Sequence, residues 1–264
     1  MSRACFVSDL HIAAPEDSRA QLLLQLLRSL PGPEAVSHLF LLGDIFDLWL
    51  ADHRYFIDRY RAIVAELERL RDAGVDIHYF EGNHDLHLEK YWAGRLGLTV
   101  HDGPVELDLA GRRLRLEHGD QMDPDDRGYR FLRWFLRTPV LRFVIHHLPG
   151  NIAARIGQRA SATSRSYTSE TKTISAADAV RKIRAHARKV HAETPFDLLI
   201  SGHVHVRDDY AGKTANGPFR SVNLGTWLDA PCYFLLDDAT AGFVELDADD
   251  VAQLPQPEPA PAAQ

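Results

Sequence analysis

The sequence predicts an α/β fold in which two mixed β-sheets pack together with helices on the outside. Three observations lead there. Short apolar runs alternate with longer amphipathic ones through the first hundred residues. Hairpin-like strands follow in the later part of the chain. The balance of 45% hydrophobic to 25% charged residues is that of an ordinary globular protein. Stacked sheets covered by helices satisfy all three. A length of 264 residues fits one large domain with a sizeable core.

The elements read off in order. Ala4 to Ser8 is a buried strand, and Arg19 to Leu30 carries leucines at helical spacing up to Pro31-Gly32-Pro33. His38 to Leu42 is a second buried strand. Tyr55 to Ala73 reads as one long amphipathic helix ended by Gly74. Val75 to Phe80 is a third strand and Leu86 to Leu96 a short helix, with Asp85 as its N-cap. Val105 to Leu109 and Arg112 to Glu117 alternate around Gly111 as a hairpin. Gly128 to about Arg165 is helical and Arg-rich, broken at Pro139 and near Pro149-Gly150. Ser175 to His191 is a helix. Leu198 to Ile200, Phe219 to Asn223, Tyr233 to Leu236 and Phe243 to Leu246 are further strands. The expected organisation is one domain over 1–250, a helical insertion over about 127–170, and a disordered Pro/Ala-rich tail over 251–264.

A net charge of −7 argues against a duplex-binding protein, so no nucleic acid is expected as partner. Cys5 and Cys232 are the only cysteines, which suits a reducing cytoplasm rather than a disulfide framework. No signal peptide or transmembrane run is visible, and a cytoplasmic location is expected. The insertion departs from this balance. Arginines 127, 130, 133, 137, 142, 155, 159 and 165 fall where no Asp or Glu lies between Asp126 and Glu170, among Phe131, Trp134, Phe135, Phe143 and other large apolar residues. Such a segment suits an anionic membrane interface or an acyl-chain pocket, and the inner leaflet is the expected partner surface.

Chemistry concentrates at strand ends. They carry Ser8-Asp9-Leu10-His11, Gly43-Asp44-Ile45-Phe46-Asp47, Gly82-Asn83-His84-Asp85, His118-Gly119-Asp120 and Gly202-His203-Val204-His205. Ligands of α/β sheets bind beyond the carboxyl ends of strands, where these groups can converge. Carboxylate, imidazole and carboxamide without thiolate favour Mn²⁺, Fe²⁺, Zn²⁺ or Mg²⁺, with Mn²⁺ the first expectation. The donors outnumber the needs of one ion, and two ions sharing a carboxylate use them all.

In their order and spacing these motifs resemble the signature of the calcineurin-like metallophosphoesterases over about Val7 to His205. The resemblance implies a four-layer αββα sandwich. It implies that Asp9, His11 and His205 hold one metal, that Asn83, His118 and His203 hold the other, and that Asp44 bridges them beside a nucleophilic water or hydroxide. His84 then serves the leaving-group oxygen, oriented by a hydrogen bond to Asp47. Further segments are similar to UDP-2,3-diacylglucosamine diphosphatases of lipid A synthesis: Gly43 to Trp49, Asp125 to Tyr129, the helical insertion and Leu224-Gly225-Thr226-Trp227. That similarity implies hydrolysis of a nucleotide-sugar pyrophosphate to a lipid phosphate and UMP, an insertion that shelters acyl chains, and substrate contacts from Asp126, Asn83, His84 and His203. His84 stands where the best-known members of that family carry Arg. The residues Ser161, Thr163, Ser164, Ser166 and Tyr167 replace its polar set at the end of the insertion. A phosphodiesterase or phosphomonoesterase on another nucleotide or phospholipid-like substrate is the competing reading. A non-catalytic membrane or partner scaffold of the same fold is a third.

Overall fold

The structure is a computed structural model describing residues 2–30, 35–152, 155 and 175–246. Its layering follows from the alternation in the first strand, β1 (Ala4–Val7), which is buried on both faces. Ala4 and Phe6 join the core between two sheets, while Cys5 and Val7 join a core beneath helices. Side chains of a strand alternate between faces, so a run apolar at every position needs a cover on both sides.

The first sheet runs β13 (Ala241–Glu245), β12 (Cys232–Leu236), β1, β2 (His38–Leu41), β4 (Asp76–Phe80), β6 (Thr99–His101). Within it β1, β2, β4 and β6 are parallel. The second sheet runs β10 (Arg207–Thr214), β11 (Gly217–Leu224), β9 (Leu198–Ser201), β8 (Arg112–Glu117), β7 (Val105–Leu109). There β8, β9 and β11 are parallel. Phe6, Phe40, Leu114, Leu116, Ile200, Val222 and Phe234 fill the space between the sheets. Helices α1 (Ser18–Ser29) and α3 (Arg61–Asp72) cover the outer face of the first sheet through residues such as Leu23, Leu27, Ile63 and Leu67. Helix α6 (Ala176–Glu193) covers the second through Ala187 and Val190 against Leu199 and Phe219. This is the expected four-layer sandwich.

Several local expectations need correction. The helix expected over 55–73 is two, α2 (Arg54–Arg59) and α3, broken at Tyr60 with φ −106° and ψ 23°. The Tyr60 hydroxyl there donates to the carbonyls of Ile12 and Ala13 at 3.1 and 3.2 Å. Leu86 to Leu96 holds only a π-helical turn, Glu89–Ala93. Its leading residues pair instead as a short strand, β5 (Asp85–Leu86), beside β3 (Trp49–Leu50). The strand β10 was not anticipated. Its polar sequence alternates a few covered residues with exposed ones at a sheet edge. The segment expected as an insertion opens as α4 (Arg127–Leu136) and α5 (Pro139–His147), separated at Pro139. The remainder of the insertion, apart from residues up to 152 and Arg155, lies outside the described residues, as does the expected tail. Among the described residues no helix is long and apolar enough to cross a membrane.

Candidate metal centre

Five parallel strands, β1, β2 and β4 of one sheet and β8 and β9 of the other, deliver their carboxyl-terminal turns to one edge of the sandwich. Backbone hydrogen bonds tie these turns together: Asp9 N–H to Gly43 O at 3.1 Å, His11 N–H to Asp44 O at 3.0 Å, and Gly202 N–H to His118 O at 2.9 Å.

The turns are conformationally costly. Asp9, His11, Asp44, His203 and His205 all adopt left-handed φ, between 47° and 69°. Non-glycine residues in that region cost about 1–3 kcal/mol each and persist where their surroundings hold them, typically at functional sites. Neighbouring glycines make room. A Cβ on Gly82 would stand 2.1 Å from Asp44 Oδ1, and one on Gly202 would stand 2.0 Å from Ser8 Oγ and 2.3 Å from Asp9 Oδ2. Only hydrogen fits at either position.

Each carboxylate spends one oxygen on the protein and turns the other inward. Asp44 Oδ1 accepts from the N–H groups of Asn83 and His84, both at 2.9 Å. Its Oδ2 lies 4.0 Å from His11 Nε2 on one side and 3.5 Å from His118 Nε2 on the other. Asp9 Oδ2 accepts from Ser8 Oγ at 2.5 Å and His203 N at 2.7 Å. Its Oδ1 is buried without a hydrogen bond, although His205 Nε2 approaches to 3.3 Å. An ionised oxygen left so is costly unless a cation faces it. His11 Nε2 and His205 Nε2 converge to 2.9 Å, and His203 Nδ1 and His118 Nε2 lie 3.0 and 3.3 Å from Asn83 Oδ1. The sets Asp9–His11–His205 and Asp44–His118–His203 each gather within 4.8 Å. These donors fit divalent ions bound at ~2.0–2.2 Å, with Asp44 Oδ2 between the two sets. His118 Nδ1 donates to Leu42 O at 2.8 Å, which fixes the tautomer and leaves Nε2 for an ion.

Electrostatics agree with a cation site. Burial opposes ionisation of Asp44, but His118, His84 and His11 around it hold its pKa well below the ordinary carboxylate value. His118 is pulled the opposite way: burial disfavours its cation, yet Asp44 and Asp9 lift it to about 10, so an ion at Nε2 would take the place of a proton held there by the same carboxylates. Burial pushes His11 and His203 down to about 4, so both are neutral donors at neutral pH.

Residues 2–207 match the family model described as calcineurin-like phosphoesterase. The chain belongs to that family. It is accordingly a hydrolase of phosphoester or pyrophosphate bonds. Among relatives of this phosphoesterase are proteins named UDP-2,3-diacylglucosamine hydrolase. The one from Aeromonas salmonicida is 32% identical over 238 residues, 85% of each chain. The one from Escherichia coli is 29% identical over 247 residues, covering 93% of this chain and 95% of the relative. The one from Pseudomonas aeruginosa is 27% identical over 257 residues, covering 96% of this chain and 98% of the relative.

Other expected site residues of the phosphoesterase fall as follows. His84 Nδ1 donates to the main-chain carbonyl of Asp47 at 2.7 Å, which orients the ring from the turn that carries Asp47. Asp126 caps α4 by accepting from Tyr129 N at 3.0 Å. Trp49 and Trp227 are buried packing residues, with indole N–H groups donating to Ala51 O and Cys232 O. Two arginines of this segment face inward, Arg133 on Asp120 and Arg137 on Glu81, and Arg142 pairs with Glu89 at the surface. The charges of Arg133 and Arg137 are met by buried carboxylates of the sandwich. The histidines outside the motifs are satisfied, for example His186 on Glu117 and His146 on Asp52.

Asp85 is no helix cap. It is fully buried and accepts from Ile45 N at 2.8 Å, Phe46 N at 3.3 Å and Tyr79 Oη at 2.8 Å. Burial and the nearby Asp44 charge push its pKa well above the ordinary value. Asp85 thus holds the loop that carries Asp44. Ser8, Asn223 and Thr226 support the other turns, Asn223 Nδ2 donating to Gly202 O and Thr226 Oγ1 to Asp9 O. Asp85→Ala leaves three buried donors unpaired, at about 1–3 kcal/mol each. Urea denaturation is expected to show that loss, with Tyr79→Phe costing less because it removes a donor and not the shared acceptor. A destabilisation by Asp85→Ala below ~1 kcal/mol would contradict this role.

Proposed function

We propose that the protein hydrolyses the pyrophosphate of UDP-2,3-diacylglucosamine to a diacylglucosamine 1-phosphate and UMP. Asp9, His11 and His205 hold one divalent ion, Asn83, His118 and His203 hold another, and Asp44 is shared. Mn²⁺ is the first candidate, with Fe²⁺, Zn²⁺ and Mg²⁺ chemically admissible. The observation that carries the reading is the division of Asp44: one oxygen is fixed by two backbone N–H groups, and the other stands between imidazoles of the two sets. The relatives' names supply the substrate, and the match extends over 85–96% of this chain.

Two such ions supply Lewis-acid charge for the phosphoryl oxygens and bring the pKa of water toward ~7. The chain's own groups do the remainder. In its protonated form His84 donates through Nδ1 to Asp47 O and would give its Nε2 proton to the departing phosphate oxygen. Asn83 offers its carboxamide to the same oxygens. Asp126, at the start of α4, serves the substrate side of the site. The exposed Phe131, Trp134, Phe135, Val140 and Phe143 of α4 and α5 serve the acyl chains and the inner leaflet.

The deciding assay is UMP release from UDP-2,3-diacylglucosamine with Mn²⁺, abolished by a chelator. Turnover of a simple aryl phosphodiester without UMP release would favour the competing phosphodiesterase reading, which His84 suits. Asp44→Ala is expected to remove activity, at least a hundredfold, while His84→Ala loses turnover but keeps Mn²⁺ binding by calorimetry. Near-normal turnover in Asp44→Ala rejects the mechanism. For the apolar surface, flotation with anionic liposomes at low salt is expected to carry the protein upward, and Phe131→Ser with Phe143→Ser to weaken it. Absence of flotation rejects membrane contact.

A further inference from the structure

Helix α4 does not rest evenly on the centre. The Tyr129 hydroxyl donates to Asp120 Oδ2 at 2.7 Å, and Arg133 Nε donates to the same oxygen at 2.6 Å. Arg133 Nη2 also reaches the carbonyl of Asp102 at 2.8 Å. Arg137 Nη2 donates to Glu81 Oε2 at 3.2 Å. The Tyr129 ring lies 5.8 Å from the His203 ring.

The receiving residues are not random. Asp120 follows His118 by two residues, and Glu81 precedes Asn83 by two. His118, Asn83 and His203 are the donors of one ion set. Two side chains of α4, and a third from Arg137 at its C-cap, therefore end on that set or on carboxylates close beside its members. Asp120 and Glu81 are both buried, so each depends on its partner for charge compensation. Loss of the arginine would leave a buried carboxylate to find water, and the turn bearing the metal donor would move with it. The other set is held differently: Asp9 by Ser8, the His203 backbone and Thr226, and His11 by the backbone of Asp44.

We propose that Tyr129, Arg133 and Arg137 are positioning residues through which the insertion helix sets the geometry of the Asn83–His118–His203 ion site, while the Asp9–His11–His205 site stands without them. The inference rests on the two-ion reading above. It makes the insertion a structural half of one metal site in addition to a cover for substrate. Binding of the second ion and docking of α4 should then be linked, each favouring the other.

The test is titration of the metal-free full-length protein with Mn²⁺ alone, followed by calorimetry and electron paramagnetic resonance. The wild type is expected to take two ions and give the signal of a spin-coupled pair. Arg133→Gln combined with Tyr129→Phe should bind the first ion as the wild type does and the second at least tenfold more weakly, with a mononuclear signal at one equivalent. Tyr129→Phe alone removes one hydroxyl from a folded protein, and about a threefold weakening of the second ion alone is expected. Arg142→Gln, which breaks the exposed pair with Glu89, should leave both ions unchanged. Two equal wild-type affinities in the Arg133 and Tyr129 variants overturn the inference and leave the two-ion reading standing. So does an equal loss at both sites. A wild type that never takes a second ion overturns both.

Discussion

The centre depends on keeping two carboxylates ionised where burial disfavours their charge. Asp9 and Asp44 are fully or almost fully buried, and each meets that cost by giving one oxygen to firm donors. The remaining oxygens face imidazoles. Negative potential is thereby concentrated at the point where both sets of donors meet, which is the condition for capturing divalent cations. The left-handed turns, the absent Cβ atoms of Gly82 and Gly202, and the buried Asp85 all serve this one arrangement.

The fold explains how such costly turns are tolerated. Two sheets share a core that includes Phe6, Phe40, Leu116 and Ile200, so the ends of strands from both sheets are fixed relative to each other. Rigid strands deliver the side chains, and backbone bonds between neighbouring turns lock them. Strain that would unfold an isolated loop is absorbed by this shared core. The cost of conformation is met far from where the chemistry happens.

The insertion joins these two themes. Phe131, Trp134, Phe135 and Phe143 project outward, yet Arg133 and Arg137 turn in toward Asp120 and Glu81. A segment whose composition suits a membrane interface or an acyl-chain pocket is also tied to carboxylates beside the candidate site by ion pairs. Arginine suits that task because its fork can bridge two acceptors, as Arg133 does between Asp120 and Asp102.

By itself the sequence determined the layered α/β class, most strands of both sheets, and the motifs whose donors converge. Apolar periodicity and turn residues are local properties, and they survive reading in one dimension. Tertiary structure alone decided what each donor's second atom does. It made Asp85 a buried brace rather than a cap, gave His84 the Asp47 carbonyl, broke the helix at Tyr60, and paired Arg133, Arg137 and Arg142 with Asp120, Glu81 and Glu89. The polar edge strand β10 escaped for a related reason: its place is set by pairing with β11, and few of its side chains are buried. Such outcomes depend on which distant groups become neighbours and on the cost of burying charge, and neither is written in the spacing of residues along the chain.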